Sequence, residues 1–468
     1  MELLMKKEEL FIAIIGAMTI LTACGNTAYE SAAAASSSAE EEIISESAKI
    51  SSSETDESTA ESSDSGKSKK EKSSTSKSAK KSKSDTSSSD SEETDGNAAY
   101  VLSDGENVDG GTYTATEENM SVFEASEDVN ATITGSVINK ADGSASSADD
   151  SSFKGVNAAV RAYGNSTITL KECTITADAE NATGVFAYDN GTIYISDSTV
   201  NVTGGGAGGI QVAGGGTLYA SNLNVTSSSK AAIRSDRGGG VLVVDGGNYT
   251  SEGSNGCPAI YSTADITVKN AECTAQNSRA VIIEGKNSVS LENCVLSGND
   301  QSSKEGSVKG NVLLYQSASG DADDGTSELT MNGGSITSNS GAMFYCTNTS
   351  SEINLTDAKL VLSEDNTLLI VSEGRWGNEG SNGGICTLNA DNQELSGRIT
   401  VDDISSLSLN LTDSTYKGAI NETGYAGEVN VILDDNSKWI LTADSYITSF
   451  TGNEANIEFN GYKLYIND

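Results

Sequence analysis

The 25 residues from Gly184 to Gly208, GVFAYDNGTIYISDSTVNVTGGGAG, decide the fold. Apolar residues alternate within them at a period of two, which is the spacing of a strand. Val185 and Ala187 point one way and Phe186 and Tyr188 the other. Asp189-Asn190-Gly191 reads as a turn, after which Ile193 and Ile195 face inward. Ser196-Asp197-Ser198 makes a second corner before Val200 and Val202, and the glycine-rich stretch 204–208 closes the unit. Three short strands and three corners in about 24 residues form a unit that cannot bury its own apolar face and must stack on a neighbour.

Neighbours are present on both sides. AVRAYGNSTITLKECTITADAENAT begins at Ala159, GIQVAGGGTLYASNLNVTSSSKA at Gly209, and looser copies at Ala232 and Ala259. The first apolar position of each unit, Val160, Val185, Ile210, Ile233, Ile260 and Val281, recurs at intervals of 25, 25, 23, 27 and 21 residues. Units are still recognisable at Asn311 (NVLLY), Met343 (MFYC), Leu368 (LLIV) and near Ser408, with longer loops at 316–327 and 372–384. The final NEANIEFNGYKLYIND reads as a terminal cap. A leucine-rich repeat would fix Leu and Asn positions, and a propeller blade would need a longer period with antiparallel hairpins. The expected fold is all-β: a single right-handed parallel β-helix over residues 99–468. Its rungs, about 13 at a ~4.8 Å spacing, would stack to roughly 60 Å. The Thr192–Val202 cadence resembles the pectin-lyase-like right-handed β-helix superfamily, a likeness of fold that covers residues 99–468.

Composition agrees with many short strands and tight turns: one Pro, 48 Gly and 5% aromatic residues. There is no histidine, which argues against triads, zinc sites and His-assisted hydrolysis. The net charge of −38 divides into −1 on residues 1–26, −7 on 27–98 and −30 on the remainder. Such an acidic domain repels nucleic acid and other polyanions unless a cation intervenes.

The N-terminus reads as an address. Residues 5–24, MKKEELFIAIIGAMTILTAC, give a basic start at Lys6 and Lys7, an apolar stretch from Leu10 to Leu21, and a small-residue end. Leu21-Thr22-Ala23-Cys24 resembles the lipobox of bacterial lipoproteins, which implies a diacylglyceryl-modified Cys24 that becomes the N-terminus after cleavage. Two acyl chains anchor stably where one would not. Residues 1–24 are therefore expected to be a lipoprotein signal and lipobox, and membrane lipid the first partner, at the extracellular face of the cell membrane. Residues 25–98, rich in Ser, Lys and Glu, cannot bury enough surface to offset ordering entropy and read as a disordered tether. As a flexible coil it spans on the order of 45–50 Å. Fully stretched it reaches about 240 Å.

Within the domain, Cys173, Cys257, Cys273, Cys294, Cys346 and Cys386 form an even set. Cys173 and Cys294 hold the same corner position about five rungs apart, beyond bridging range, and Cys273 and Cys294 are out of register. The six read as small apolar or corner fillers.

The outward positions of the first strand of each unit stack into a stripe: Arg161 and Tyr163, Phe186 and Tyr188, Gln211, Arg234 and Asp236, then Tyr261. Aromatic rings and guanidinium forks at rung spacing suit sugar faces, hydroxyls and carboxylates. This stripe is the candidate binding face, and the function expected is an adhesin-like surface module for glycans or another surface, host or cell-surface protein included. The alternatives are a calcium-dependent polysaccharide lyase and a structural stalk. The superfamily resemblance implies that polygalacturonase-type chemistry would need a histidine. Lyase-type chemistry would use an arginine base with carboxylate-bound calcium, for which Arg161, Arg234 and Arg237 with Asp189 and Asp236 are the residues at hand. Asp321, Asp323 and Asp324, in DADDG, are the candidate ligands for a hard cation such as calcium. No other cofactor is implied.

Overall fold

Outward from the Gly184 unit, the expected alternation becomes three strands, Val185–Ala187, Thr192–Ser196 and Thr199–Val202. The computed structural model describes residues 96–254, 256–303 and 307–467. Signal, lipobox and all but the last three residues of the tether lie outside the described residues, and the first strand is Asn97–Val101.

Each strand of the unit pairs in parallel with its counterparts 25 residues before and after it: Val160, Val185 and Ile210 lie side by side, as do Ile168, Ile193 and Leu218. The column continues through Ile233, Ile260, Val281, Val312, Phe344 and Leu369 to Ile399, so every unit expected from the spacing falls in register. First strands form one sheet of 12, from Asn97–Val101 to Arg398–Val401. Second and third strands form a larger parallel sheet, and the last rungs add a four-stranded one ending at Ile457–Glu458. The chain is thus an all-β parallel β-helix.

Ile193, Ile195, Val200 and Val202 sit inside it as expected, within a continuous apolar core that runs from Leu102 to Ile457. A one-residue slip would turn each of these columns outward, and burial on that scale holds the register.

The corner after each second strand has a chemical cause. Asp197, Asn222, Asn270, Asn293, Asp357, Asn392 and Asp413 all take positive φ there, between 48° and 53°. Asn and Asp tolerate this left-handed conformation because their short polar side chains bond locally. The side chains also tie rungs together, Asn222 Nδ2 donating to Asp197 Oδ1 at 2.9 Å. The next residue turns inward. Ser198 fills that place in one rung and Cys173 and Cys294 in others, their thiols donating to the Ile133 and Val268 carbonyls. These two cysteines are corner fillers, as read from the sequence.

Candidate functional site

The predicted stripe exists as a column. Glu124, Arg161, Phe186, Gln211, Arg234, Tyr261 and Ile282 stand side by side on the outer face of the 12-stranded sheet. It is not open to solvent. A short helix, α1 (Ala148–Lys154), lies across its first part, capped by the Ser147 side chain and ended by Gly155 at φ 71°. Phe186, expected outward and exposed, does point away from the coil interior. Under α1, however, it is 0% exposed and packs with Ala158, Ala213 and Tyr188.

Arg161 is buried and held on two sides. Its Nε donates to the Lys154 carbonyl at 2.8 Å and its Nη1 lies 3.2 Å from Glu124. Tyr163, half-buried, donates to the same carboxylate at 3.0 Å and stacks under the guanidinium. Gln211 Nε2 reaches the Ser152 carbonyl at 2.8 Å, and Lys230 reaches the Ser152 hydroxyl at 2.7 Å. Tyr188 is half-buried beside Gly214.

Farther along the column Arg234 pairs with Asp236 at 2.8 Å and lies 4.7 Å from the Tyr261 ring centre. Tyr261 donates to Glu284 Oε2 at 2.5 Å, and Tyr315 donates to the same oxygen at 2.8 Å. Ser317, from the loop after Tyr315, closes on the other carboxylate oxygen. Burial first, and the neighbouring Tyr315 and Glu284 after it, push the Tyr261 hydroxyl well above its usual range; burial and Glu284 do the same to Tyr315. Both therefore stay protonated donors, and neither serves as a base at neutral pH. The loop 372–384 completes the cover, its Trp376 set against Tyr315 with ring centres 4.5 Å apart.

The arginines singled out for lyase-type chemistry are thus engaged. Arg237, on the surface, joins α1 to the loop 316–327: its guanidinium lies 4.2 Å from the Phe153 ring of α1 and 2.5 Å from Asp321. The cation site expected at Asp321, Asp323 and Asp324 does not assemble. Asp321 takes Arg237 and Asp323 turns its carbonyl to the Lys286 amide, and among the described residues no three acidic or cysteine side chains converge to hold a metal ion.

An open aromatic surface lies on the other sheet. Thr169, Tyr194, Tyr219 and Val243 form an outward column of second strands. The two tyrosine rings stack 5.1 Å apart at 9°, and are 46% and 39% exposed. Beside them Ser196 and Ser221 are too small to fill the adjoining column, and the space they leave is a shallow hollow of about 250 Å³, ended by Val243 and Asp245. The signal for it was in the sequence: Tyr194 and Tyr219 are 25 residues apart, the same interval as Val185 and Ile210, at an outward parity. No family model, characterised relative or solved structure matches the chain.

Proposed function

We propose that the protein is a non-catalytic surface binding protein, anchored to the cell membrane through acylated Cys24, that holds saccharide ligands on the Tyr194–Tyr219 stack. The observation that carries this reading is the exposed, parallel pair of rings beside a shallow, mainly apolar hollow edged by Ser196, Ser221 and Asp245. Aromatic rings supply apolar area at low entropic cost, and the Ser196, Ser221 and Asp245 side chains offer hydrogen bonds to ring hydroxyls. A space of about 250 Å³ is below the size of a pocket for a drug-sized ligand, and suits one sugar ring of a chain that continues across neighbouring rungs.

Three further features support the reading. The charge of −30 on the domain favours neutral or cationic glycans over anionic ones. The likeness to pectin-lyase-like coils, which is part of the proposal, suits an extended polymer laid along rungs. The lipobox and the Ser-rich segment suit a domain displayed away from a membrane.

The test is a panel of surface glycans presented to the full chain. Tyr219→Ala and Tyr194→Ala should each weaken binding by about 1–3 kcal/mol, a hot-spot range, with an unchanged melting temperature. Loss of binding on Tyr188→Ala with Tyr219→Ala intact would move the site back to the covered sheet.

A further inference from the structure

We propose that Cys346 and Cys386 form an internal disulfide that staples the loop 372–384 to the coil. Cys346 lies on Ala342–Thr347, in the inward column between Leu314 and Val371. Cys386 lies on Ile385–Asp391, one rung on, inward between Ser351 and Leu407. Their sulfurs are 3.6 Å apart, in van der Waals contact inside the main core, with Cys346 0% and Cys386 2% exposed. A disulfide requires the sulfurs at about 2.05 Å, so closure has to bring the two about 1.5 Å nearer.

The other described cysteines have different surroundings. Cys173 and Cys294 donate to corner carbonyls, Cys257 donates to the Ser229 carbonyl, and Cys273 stacks between Tyr249 and Leu296. Six cysteines read as fillers thus separate into four fillers and one facing pair.

The chemistry is a thiol–disulfide exchange with an external oxidant, a small disulfide such as glutathione disulfide or the disulfide of an oxidoreductase. The thiolate of one cysteine attacks the oxidant's sulfur and expels one thiol, giving a mixed disulfide. The second cysteine then attacks the first cysteine's sulfur and expels the other thiol. Two protons and two electrons leave the protein, and the oxidant becomes two thiols. The contact with Cys346, together with burial, pushes the Cys386 thiol well above its usual range, and with both sulfurs buried an external oxidant cannot reach the pair once the rungs have closed. The bond therefore forms while these rungs are still open, and burial then shields it from reductants. The closed ring spans 40 positions and contains the loop whose Trp376 covers Tyr315 and whose Asn382 donates to the Gly374 and Trp376 carbonyls. Oxidation would fix that cover in place.

The experiment refolds the full chain in a glutathione/glutathione disulfide buffer, unfolds it in an alkylating agent and maps the tryptic peptides. The expected result is a mass lower by two hydrogens, a linked Cys346–Cys386 peptide, and alkylation of the other four domain cysteines. Cutting after exposed Arg375 should leave fragments that separate only on reduction. The oxidised protein should melt roughly 5 °C above the reduced one, as expected of a long closed loop. That gap should vanish in Cys386→Ala, and in Cys346→Ser if the first variant folds poorly. Alkylation of all six domain cysteines after refolding, or a bridge between another pair such as Cys273 and Cys294, overturns the proposal.

Discussion

At Phe186 the sequence settles the side of the strand and the surrounding chain settles the environment. Parity places it opposite Val185 and Ala187, and it does leave the coil interior; the ring is nevertheless enclosed by Ala158, Ala213 and Tyr188 beneath α1. A carboxylate in its place would be buried against Ala158, Ala213 and Tyr188, with Arg161 beside it already paired to Glu124, at a penalty of several kcal/mol. Phe186→Asp should therefore destabilise the protein about as strongly as Ile195→Asp, which buries its charge inside the rung. Thermal melting of the two variants decides the matter: a Phe186→Asp protein within about 1 kcal/mol of wild type would show that α1 does not cover the ring in solution. The same logic separates the tyrosines. Tyr194 and Tyr219 face outward and stay exposed among the described residues, whereas Tyr261, at equivalent parity in its own strand, lies beneath a loop and donates to Glu284.

At the scale of elements, the strands and corners follow from period and turn chemistry, and the covers do not. Seven residues of helix with Ser147 as N-cap, Asp149 and Asp150 in the first turn, Lys154 in the last and Gly155 as left-handed stop form a complete set of helix signals. They lie ahead of Ala159, where the repeat alignment starts, and so fall between units. Docking of α1 depends on Gly155: its φ is 71°, and a Cβ there would meet the Phe186 ring at 2.5 Å. Gly155→Val should loosen α1 by about 1–3 kcal/mol while the stacked rungs hold. Hydrogen exchange is expected to rise across Ala148–Lys154 alone, with faster tryptic cleavage after Lys154. Unchanged exchange would mean that the close approach to Phe186 is relieved by a small shift.

At the scale of the whole molecule, the solenoid is what the structure describes, and the N-terminal anchor belongs to the proposal. Cys24 lies outside the described residues, and its lipidation is tested by fractionation. Cys24→Ala should move the protein from the membrane fraction to the medium or leave it unprocessed, and unchanged mass and partitioning would remove the anchor from the proposal. The solenoid itself makes only neighbour-to-neighbour pairings, so local lesions such as Gly155→Val should remain local.

The sequence by itself determined the repeat, the inward columns, the turns and the absence of histidine chemistry, because a period-two pattern repeated every 21–27 residues has one economical packing. Asp197 and its successors declare their corners through a left-handed preference that belongs to the residue type. Only the tertiary structure decided which outward columns meet solvent. Burial of Phe186 and Arg161, capture of Asp321 by Arg237, and contact between Cys346 and Cys386 depend on chain segments folding over or along the coil from outside the repeat unit. Periodicity encodes direction relative to a strand. It carries no information about what a distant loop or a neighbouring rung brings to that side.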